Sequence, residues 1–358
     1  MIQFITKRIT YGFFVLLGVI SVVFFLFNVL PGDPARMMLG QRADKASIEA
    51  INKDLGLNQP LPVQFALYLN DLSPISLHNT SDVDSRTKWT AEKYGGFSLL
   101  TISGYQVVIK APYLRRSYQS QKKVNEIISE TLLETTVLAV SAILFATFLG
   151  VLLGILSAIY KDSWLDRISL LFATSGMALP SFFVGIIIAW VFGYLLADYT
   201  GLNMTGSLYE VDDLGRGEYL ALSNLILPAI TLGVRPLSVI VQLSRNSMLE
   251  VMSQDFVRTA VAKGLSKHIV ILKHALKNAL NPVLTAVSGM FASLMAGAVF
   301  VEIVFAWKGI GWEVVNALEK YDLPVVMGAV LVIAVIFVVI NMIVDILYGI
   351  LDPRVRVS

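Results

Sequence analysis

Six stretches of the chain are apolar over about 20 residues or more, the length that a helix needs to cross the hydrocarbon core of a bilayer. They are residues 9–30, 132–159, 168–196, 223–246, 280–304 and 325–347. Polar segments separate them, and charged residues are rare inside them. The pattern predicts an all-α polytopic membrane protein with six transmembrane helices.

The first apolar stretch follows Lys7 and Arg8 and runs through GFFVLLGVISVVFFLFNVL. It lacks a small-x-small cleavage site and is longer than the apolar core of a signal peptide. We therefore expect residues 1–30 to form an uncleaved N-terminal transmembrane helix and residues 131–358 to form a five-helix core.

Lys and Arg residues are unevenly divided between the short connections, and their excess marks the cytoplasmic side of a membrane. With the N-terminus inside, the cytoplasmic segments contain Lys7, Arg8, Lys161, Arg167, Arg245, Arg258, Lys263, Lys267, Lys273, Lys277, Arg354 and Arg356. The short outer loops contain Arg216, Lys308 and Lys320. Both termini are therefore predicted to be cytoplasmic.

Residues 31–130 are polar. They follow the first span, and because successive spans cross the membrane in opposite directions, they are predicted to lie outside the cell membrane. Asp44 is predicted to cap a helix that ends at Gly56, and residues 61–72 are predicted to form a second helix. The segments FSLLTI and YQVVIK flank Ser103-Gly104, as in a β-hairpin. We predict a mixed α/β extracytoplasmic cap between the first two transmembrane helices. The alternative is a partly disordered loop.

Composition narrows the class of protein. Of 358 residues, 56% are hydrophobic and 15% are charged, and the mean hydropathy is +0.70, which argues against a cytosolic enzyme. The net charge of +2 does not point to a nucleic acid partner. Motifs for phosphate binding, zinc hydrolysis and serine catalysis are missing, and so is cysteine. We interpret His78, His268 and His274 as solvated side chains and predict no catalytic, cofactor-binding or metal-binding residue.

Charged residues inside the apolar stretches are candidates for function, because a charge at bilayer depth is costly without a partner or water. Arg235 lies deepest, twelve residues into the fourth stretch, whereas Glu134 and Glu302 lie near the outer ends of the second and fifth stretches. We predict that these three residues line a translocation path. For Arg235 the alternatives are an internal ion pair, snorkelling or a misplaced edge of the span. For the two carboxylates the alternative is interfacial anchoring or pairing.

Small residues and prolines predict how the spans pack and where they break. Small residues recur at helical spacing and favour close helix contacts. They are Gly150 and Gly154 in the second stretch, and Gly289, Ser293 and Gly297, with Ala292 and Ala296 beside them, in the fifth. Pro180 and Pro228 predict structural kinks, with a cavity-lining role as the alternative.

The segment 248–279 is the long connection on the cytoplasmic side. Residues 254–263 are predicted to form a helix that Gly264 ends, and Ser266 is predicted to cap a second, rising helix. Such a projection suits the groove of a partner protein. The alternative is a helix lying on anionic lipid, which Arg258 and Lys263 would also favour.

Several phrases of the sequence together resemble the permease subunits of ATP-binding cassette importers, specifically the dipeptide, oligopeptide and nickel group. The phrases are LPGDPA at 30–35, DLGLNQPLPVQF at 54–65, SRNSMLEVMSQDFVRTAVAKGLS at 244–266, HALKNALNPVLT at 274–285, VEIVFAWKGIGW at 301–312 and DILYGILDPRVR at 345–356. The resemblance covers nearly the whole chain. Segment 248–279 corresponds to the coupling motif of the EAA type, in which an alanine precedes a glycine by four residues, here Ala260 and Gly264.

The chain departs from the general motif, since Arg258 and Thr259 replace its Glu and first Ala, and Leu276-Lys277 replaces its later Leu-Pro. Residues from about 79 to 111 have no counterpart in typical members, so the cap is expected to be enlarged.

The resemblance implies a permease with the type I importer fold in a bacterial inner membrane. It implies as partners a second homologous permease subunit, two cytoplasmic ATPases that bind ATP and Mg, an extracytoplasmic solute-binding protein and membrane lipid. Residues implied in ATPase coupling are Phe256, Arg258, Thr259, Ala260, Lys263, Gly264 and Leu265. This chain would then hydrolyse nothing.

Peptide is the expected substrate, with nickel or a nickel chelate as the alternative because the group shares its motifs across both. A self-sufficient secondary transporter is disfavoured because no inverted repeat is found. An intramembrane enzyme is disfavoured because no catalytic constellation is found.

Overall fold

A computed structural model of the protein describes residues 2–29, 45, 48, 49, 52, 56–80, 88–212, 215 and 217–351. The chain divides into two compact units. The first unit comprises Met1–Leu16, Thr131–Glu313 and Ile333–Ser358, and the second comprises Leu17–Glu130 and Val314–Val332.

Helices dominate the described residues. In chain order they are α1 (Ile2–Val29), α2 (Leu61–Leu72), α3 (Ala91–Tyr94), α4 (Val124–Ile159), α5 (Trp164–Ala178), α6 (Ser181–Trp190), α7 (Ala197–Thr200), α8 (Ser223–Met252), α9 (Asp255–Ala262), α10 (Lys267–Ile269), α11 (Leu276–Ala279), α12 (Asn281–Gly297), α13 (Val299–Phe305), α14 (Ile310–Glu319) and α15 (Leu323–Leu351). Two π-helical segments, Val191–Leu195 and Val270–Ala275, follow α6 and α10. The strands are β1 (Ile75–Asn79), β2 (Phe97–Ile102), β3 (Tyr105–Ile109), β4 (Tyr209–Val211) and β5 (Glu218–Leu220).

Four helices in the described part of the chain are long and apolar enough to cross a membrane. They are Thr6–Phe27 within α1, Val124–Ile159, Ser223–Met252 and Leu323–Ile346. Two bent pairs each qualify as one further span when taken together: Trp164–Ala178 with Ser181–Leu195, bent by 114°, and Asn281–Met295 with Val299–Phe305, bent by 59°. The predicted helical membrane fold is confirmed, with four to six candidate spans among the described residues.

The bend between α5 and α6 lies at Leu179-Pro180. Proline lacks an N–H to continue α5 and disfavours a helical backbone at the residue before it. Leu179 accordingly has an extended backbone with ψ of 137°. Pro228 and Pro236 instead lie inside the continuous helix α8. The kink predicted at Pro180 is therefore a full break, whereas Pro228 does not interrupt its helix.

Close contact between α4 and α8 confirms the prediction for Gly150 and Gly154. A Cβ atom at Gly154 would lie 2.6 Å from Cβ of Ser244, and one at Gly150 would lie 2.8 Å from Cγ2 of Ile240. The described residues give no such contact at Gly289, where a Cβ would meet nothing within 4 Å, so for Gly289 it stays a prediction. The Gly289 side of α12 is thus not packed by the described residues.

In the second unit, α2 and a three-stranded antiparallel sheet follow α1. Strands β2 and β3 pair around Ser103-Gly104, whose φ angles are 48° and 82°, so the predicted hairpin is confirmed. Strand β1 joins the other side of β3 and gives the order β1-β3-β2. Helix α2 matches the helix predicted at 61–72, whereas the helix predicted from Asp44 falls mostly outside the described residues.

Helix α2 packs on the end of α1 through aromatic side chains. The ring centroid of Phe24 lies 5.1 Å from that of Phe65 and 5.5 Å from that of Tyr68. Val23 and Met327 belong to the same buried cluster. Because Phe24 lies within the apolar stretch Thr6–Phe27, α2 is anchored to a membrane-spanning segment.

His78 is buried, and its interpretation as a solvated side chain is wrong. It is 1% exposed, and its Nε2 lies 2.8 Å from Oγ of Ser76 in a hydrogen bond. The Tyr94 ring packs against it with centroids 4.7 Å apart. Strand alternation turns Ser76 and His78 inward and leaves Ile75 and Leu77 exposed, so the polar residues of β1 are its buried ones.

Candidate functional site

The 248–279 segment contains a short helix that ends at a glycine, as predicted. Gln254 occupies the N-cap of α9, and Lys263 occupies its C-cap. Gly264 follows with φ of +77°, a left-handed conformation that other residues rarely adopt. Space around Gly264 is open, because a Cβ there would meet nothing within 4 Å. The backbone conformation therefore favours glycine at this position, and lack of space for a side chain does not.

The two sides of α9 have different surroundings. Val257 and Ala260 are buried, 2% and 6% exposed, in a cluster with Met248, Val270 and Ile271. The exposed side chains of α9 and of the residues just after it include those of Asp255, Phe256, Arg258, Thr259, Val261, Ala262, Lys263 and Leu265. Ala260 therefore supports α9 from within the chain, and the surface that a partner could touch consists of its exposed neighbours.

The chain that follows α9 is less regular than the predicted rising helix. Ser266 stands at the N-cap of α10 but its side chain makes no capping hydrogen bond. A π-helical segment, Val270–Ala275, then leads into α11 and α12. This segment packs against α9, because its residues Val270, Ile271 and Ala275 belong to the same buried cluster as Val257 and Ala260.

A buried ion pair lies just before the 248–279 segment. Nε and Nη2 of Arg245 in α8 lie 2.6 Å and 2.8 Å from the two carboxylate oxygens of Asp166 in the first turn of α5. The backbone N–H of Asp162 also donates to Asp166, at 3.0 Å. From the sequence, Arg245 is recognised only as one of the positive charges on the cytoplasmic side. Its partner Asp166 lies 79 positions away, so no local sequence pattern indicates the ion pair.

Arg235 lies in the middle of α8 beside a cavity of about 350 Å³. The cavity is lined by Ser181, Leu232, Arg235, Pro236, Val239, Met290, Ser293 and Leu294. Its walls therefore come from the start of α6, from α8 and from α12. Among the described residues, no carboxylate forms a salt bridge with Arg235, whose side chain is exposed. Two serine residues, Ser181 and Ser293, line the same cavity as this cation.

Glu302 does not line this cavity. Its side chain is fully buried, and it accepts hydrogen bonds from Oγ1 of Thr135 at 2.7 Å and from the backbone N–H of Trp312 at 2.9 Å. Gly309 and Gly311 let the backbone close around it, since a Cβ at Gly309 would lie 2.3 Å from Oε1 of Glu302. Glu302 thus organises the VEIVFAWKGIGW segment that the sequence singled out.

Glu134 is also buried and lies outside the cavity. Its carboxylate accepts a hydrogen bond from Oγ of Ser207, and its backbone carbonyl accepts one from Nε1 of Trp307 at 3.1 Å. Trp307 is fully buried. The geometry of Glu134 and Glu302 favours structural pairing, the alternative to a position on the translocation path.

Sequence reasoning missed the partners of these two residues. Thr135 and Ser207 donate hydrogen bonds to the carboxylates, whereas Trp307 donates to the backbone carbonyl of Glu134. Thr135 directly follows Glu134 and contacts a residue 167 positions away. Among the described residues, no group of three or more His, Asp or Glu side chains could hold a metal ion.

Comparison with known families decides the class of protein. The family described as binding-protein-dependent transport system inner membrane component matches residues 150–357, and the N-terminal family of the same membrane components matches residues 1–82. The chain belongs to this family. The resemblance to importer permeases is thereby confirmed.

Curated relatives match over nearly their full lengths. The dipeptide transport system permease of Alkalihalophilus pseudofirmus is 34% identical, over 99% of this chain and 100% of the relative. The probable D,D-dipeptide transport system permease of Escherichia coli K12 is 35% identical, over 95% and 94%. The glutathione transport system permease of the same organism is 32% identical, over 99% of each chain.

A solved structure shares the helical fold. The MetNI methionine ABC transporter in an inward-facing conformation matches with a TM-score of 0.50 and 17% identity, over 64% of this chain and 97% of the other. This likeness concerns the fold alone.

Proposed function

We propose that this chain is the permease subunit of an ATP-driven peptide importer and that Arg235 meets the substrate. The observation that carries the proposal is the cavity of about 350 Å³ that Arg235 lines from the middle of a membrane-spanning helix. A guanidinium is suited to a carboxylate, which every unmodified peptide carries at its C-terminus. Three relatives named above are permeases for dipeptides or glutathione, which supports this choice.

The proposed arrangement has six spans, with each bent helix pair counted as one. Both termini and the 248–279 segment lie in the cytoplasm, and residues 31–130 form a mixed α/β extracytoplasmic cap on a bacterial inner membrane. The unequal distribution of Lys and Arg residues supports this topology. A cysteine at exposed Ser120 in this cysteine-free chain should react with an impermeant thiol reagent in intact cells, whereas one at exposed Ser266 should not. The opposite labelling pattern would refute the topology.

The proposed partners are a second permease subunit, two cytoplasmic ATPases and an extracytoplasmic solute-binding protein. ATP and Mg are bound by the ATPases, and this chain performs no catalysis itself. The exposed side of α9, including Phe256, Arg258 and Thr259, would contact an ATPase together with Lys263, Gly264 and Leu265. Val257 and Ala260 would hold that surface in place, since both are buried against the segment Val270–Ala275. Movement of the ATPases would thereby reach the membrane helices.

Uptake of labelled dipeptides and oligopeptides into cells tests the substrate. Arg235→Ala should lower uptake at least tenfold, since a charge-assisted hydrogen bond to a carboxylate contributes about 1.5–3 kcal/mol. Arg235→Lys, which keeps the charge, should retain part of the activity. Co-purification of the partner subunits controls for assembly. Uptake of radioactive nickel but not of peptide would favour the nickel alternative, and full peptide uptake by Arg235→Ala would remove Arg235 from the path.

A further inference from the structure

One face of the sheet β1-β3-β2 is apolar and exposed, which reverses the usual pattern of an antiparallel sheet. Directly paired residues project from the same face. The register places three cross-strand rows there: Ile75–Ile109–Phe97, Leu77–Val107–Leu100 and Asn79–Tyr105–Ile102. The residues of this face that keep more than half of their surface exposed are Ile75, Leu77, Phe97, Leu100, Ile102 and Tyr105. The rows contain no charged side chain, so we call this surface the apolar face.

A β-bulge makes this face apolar. Alternation from Phe97 would direct Leu99 and Thr101 to the same side. The register instead shifts between Ser98 and Leu100, which inserts Leu99 and brings Leu100 and Ile102 onto the apolar face. Thr101 is thereby moved to the opposite face. The local structure thus favours exposure of apolar side chains on this side of the sheet.

The apolar face is tied to a helix that is anchored in the membrane. Asn70 of α2 forms two hydrogen bonds with the backbone of Leu77, donating to its carbonyl at 2.9 Å and accepting from its N–H at 2.8 Å. Tyr68, two residues earlier, packs on Phe24 inside the apolar stretch of α1. The middle row of the face is therefore held next to the end of a membrane-spanning helix.

Basic residues outnumber acidic ones in the segment that contains the sheet. Between residues 56 and 123, the described basic side chains that are at least partly exposed are Lys88, Lys93, Arg115, Arg116, Lys122 and Lys123. Arg115 is paired with Asp71, and Lys93 lies over the ring of Tyr94, which packs against His78 on the opposite face of the sheet. Among the described acidic residues of that range, Glu92 has an exposed side chain and Asp71 is buried. Lys110 is buried too, and burial lowers the pKa of its amine. An apolar surface in a segment with an excess of exposed basic side chains matches a bilayer interface that contains anionic lipid.

We propose that the apolar face rests on the bilayer surface, with basic side chains of the same segment, such as Lys88, Lys122 and Lys123, at anionic phospholipid headgroups. Lipid would cover the face permanently. A binding protein that docks and leaves in each transport cycle would return the same apolar surface to water each time, which is unfavourable. The proposal depends on the insertion of α1 in a membrane and not on the identity of the substrate.

Site-specific fluorescence in the assembled transporter tests this contact. The chain lacks cysteine, so Leu77→Cys and Leu100→Cys can each be labelled with a polarity-sensitive fluorophore in a complex whose other subunits lack reactive cysteines. Thr101→Cys is the matched control, because Thr101 is an exposed neighbour on the opposite face. The complex is placed in nanodiscs of phosphatidylethanolamine and phosphatidylglycerol that contain a lipid with a nitroxide near the top of its acyl chain.

We expect the nitroxide to quench the labels at Leu77 and Leu100 at least about twofold more than the label at Thr101, because interfacial residues sit close to the acyl boundary. Replacing phosphatidylglycerol by phosphatidylcholine should reduce that quenching. Equal quenching at the three positions would overturn the proposal, and so would a response that requires the solute-binding protein or the partner permease. Quenching that does not depend on phosphatidylglycerol would overturn the headgroup contact.

Discussion

Arg245 and Asp166 form a bidentate ion pair, with nitrogen–oxygen distances of 2.6 and 2.8 Å, that joins the end of α8 to the start of α5. Arg245 lies seven residues before Met252, where α8 ends, and α9 begins soon afterwards. Helices α5 and α8 are therefore linked at the end that adjoins the 248–279 segment. The same two helices also connect the 248–279 segment to the cavity. Ser181, which follows the break after α5, and Arg235 in α8 both line this cavity.

Removal of one partner of this pair should destabilise the protein. Asp166→Ala leaves Arg245 without its partner at a site where its side chain is 14% exposed, and breaking such a pair costs about 3–5 kcal/mol. We expect a lower thermal denaturation temperature for the purified complex. The double variant Asp166→Leu with Arg245→Met should lose less, since it leaves no unpaired charge. Equal losses in the single and double variants would contradict this account.

Gly264 should be sensitive to the backbone preference of its replacement and insensitive to the added volume. The left-handed conformation costs most residues about 1–2 kcal/mol, and Asn tolerates it better. Gly264→Val should therefore reduce uptake and weaken attachment of the ATPases, and Gly264→Asn should retain most of both. Membrane insertion of the chain should be unchanged in each. Co-purification of the ATPases and ATP hydrolysis measure the effect, and identical behaviour of the two variants would refute it.

Ala260 and Thr259 are neighbours with opposite surroundings, and the same substitution should affect them differently. Ala260→Asp places a carboxylate in the buried cluster of Val257 and Met248, where an unpaired charge is strongly disfavoured. Thr259→Asp leaves the packing intact because Thr259 is exposed. Limited proteolysis should cut the 248–279 segment faster in Ala260→Asp and at the original rate in Thr259→Asp. Reduced ATPase binding by Thr259→Asp would then report on the contact surface itself.

The sequence identified features that depend on local pattern. Apolar length predicted the spans, the Gly264 position predicted the end of α9, and Ser103-Gly104 predicted the hairpin. It did not show that Ala260 faces inward, because a helix of eight residues with apolar groups on two sides has no unique buried face. The pairing of Asp166 with Arg245 and of Glu302 with Thr135 depends on contacts distant in sequence, and no local pattern encodes them. The sequence also did not distinguish the break at Pro180 from the continuous helix at Pro228, since both prolines follow a leucine within an apolar stretch.

Gly154 and Gly289 both lie in membrane helices, but the structure predicts opposite results when each is replaced by alanine. At Gly154, the new Cβ would lie 2.6 Å from Cβ of Ser244 and 2.7 Å from the backbone oxygen of Val241, so α4 and α8 would have to separate. Gly154→Ala should therefore lower thermal stability by about 1–3 kcal/mol, the usual cost of overpacking. At Gly289, nothing described lies within 4 Å, and alanine favours a helix over glycine by about 1 kcal/mol. The isolated chain should tolerate Gly289→Ala or gain stability from it.

Measuring the thermal stability of both variants first as isolated chains in detergent and then in the assembled complex separates packing within the chain from packing between subunits. A Gly289→Ala chain that is stable alone but fails to assemble would place the open side of α12 against another subunit, whereas loss of stability in the isolated chain would contradict the structure.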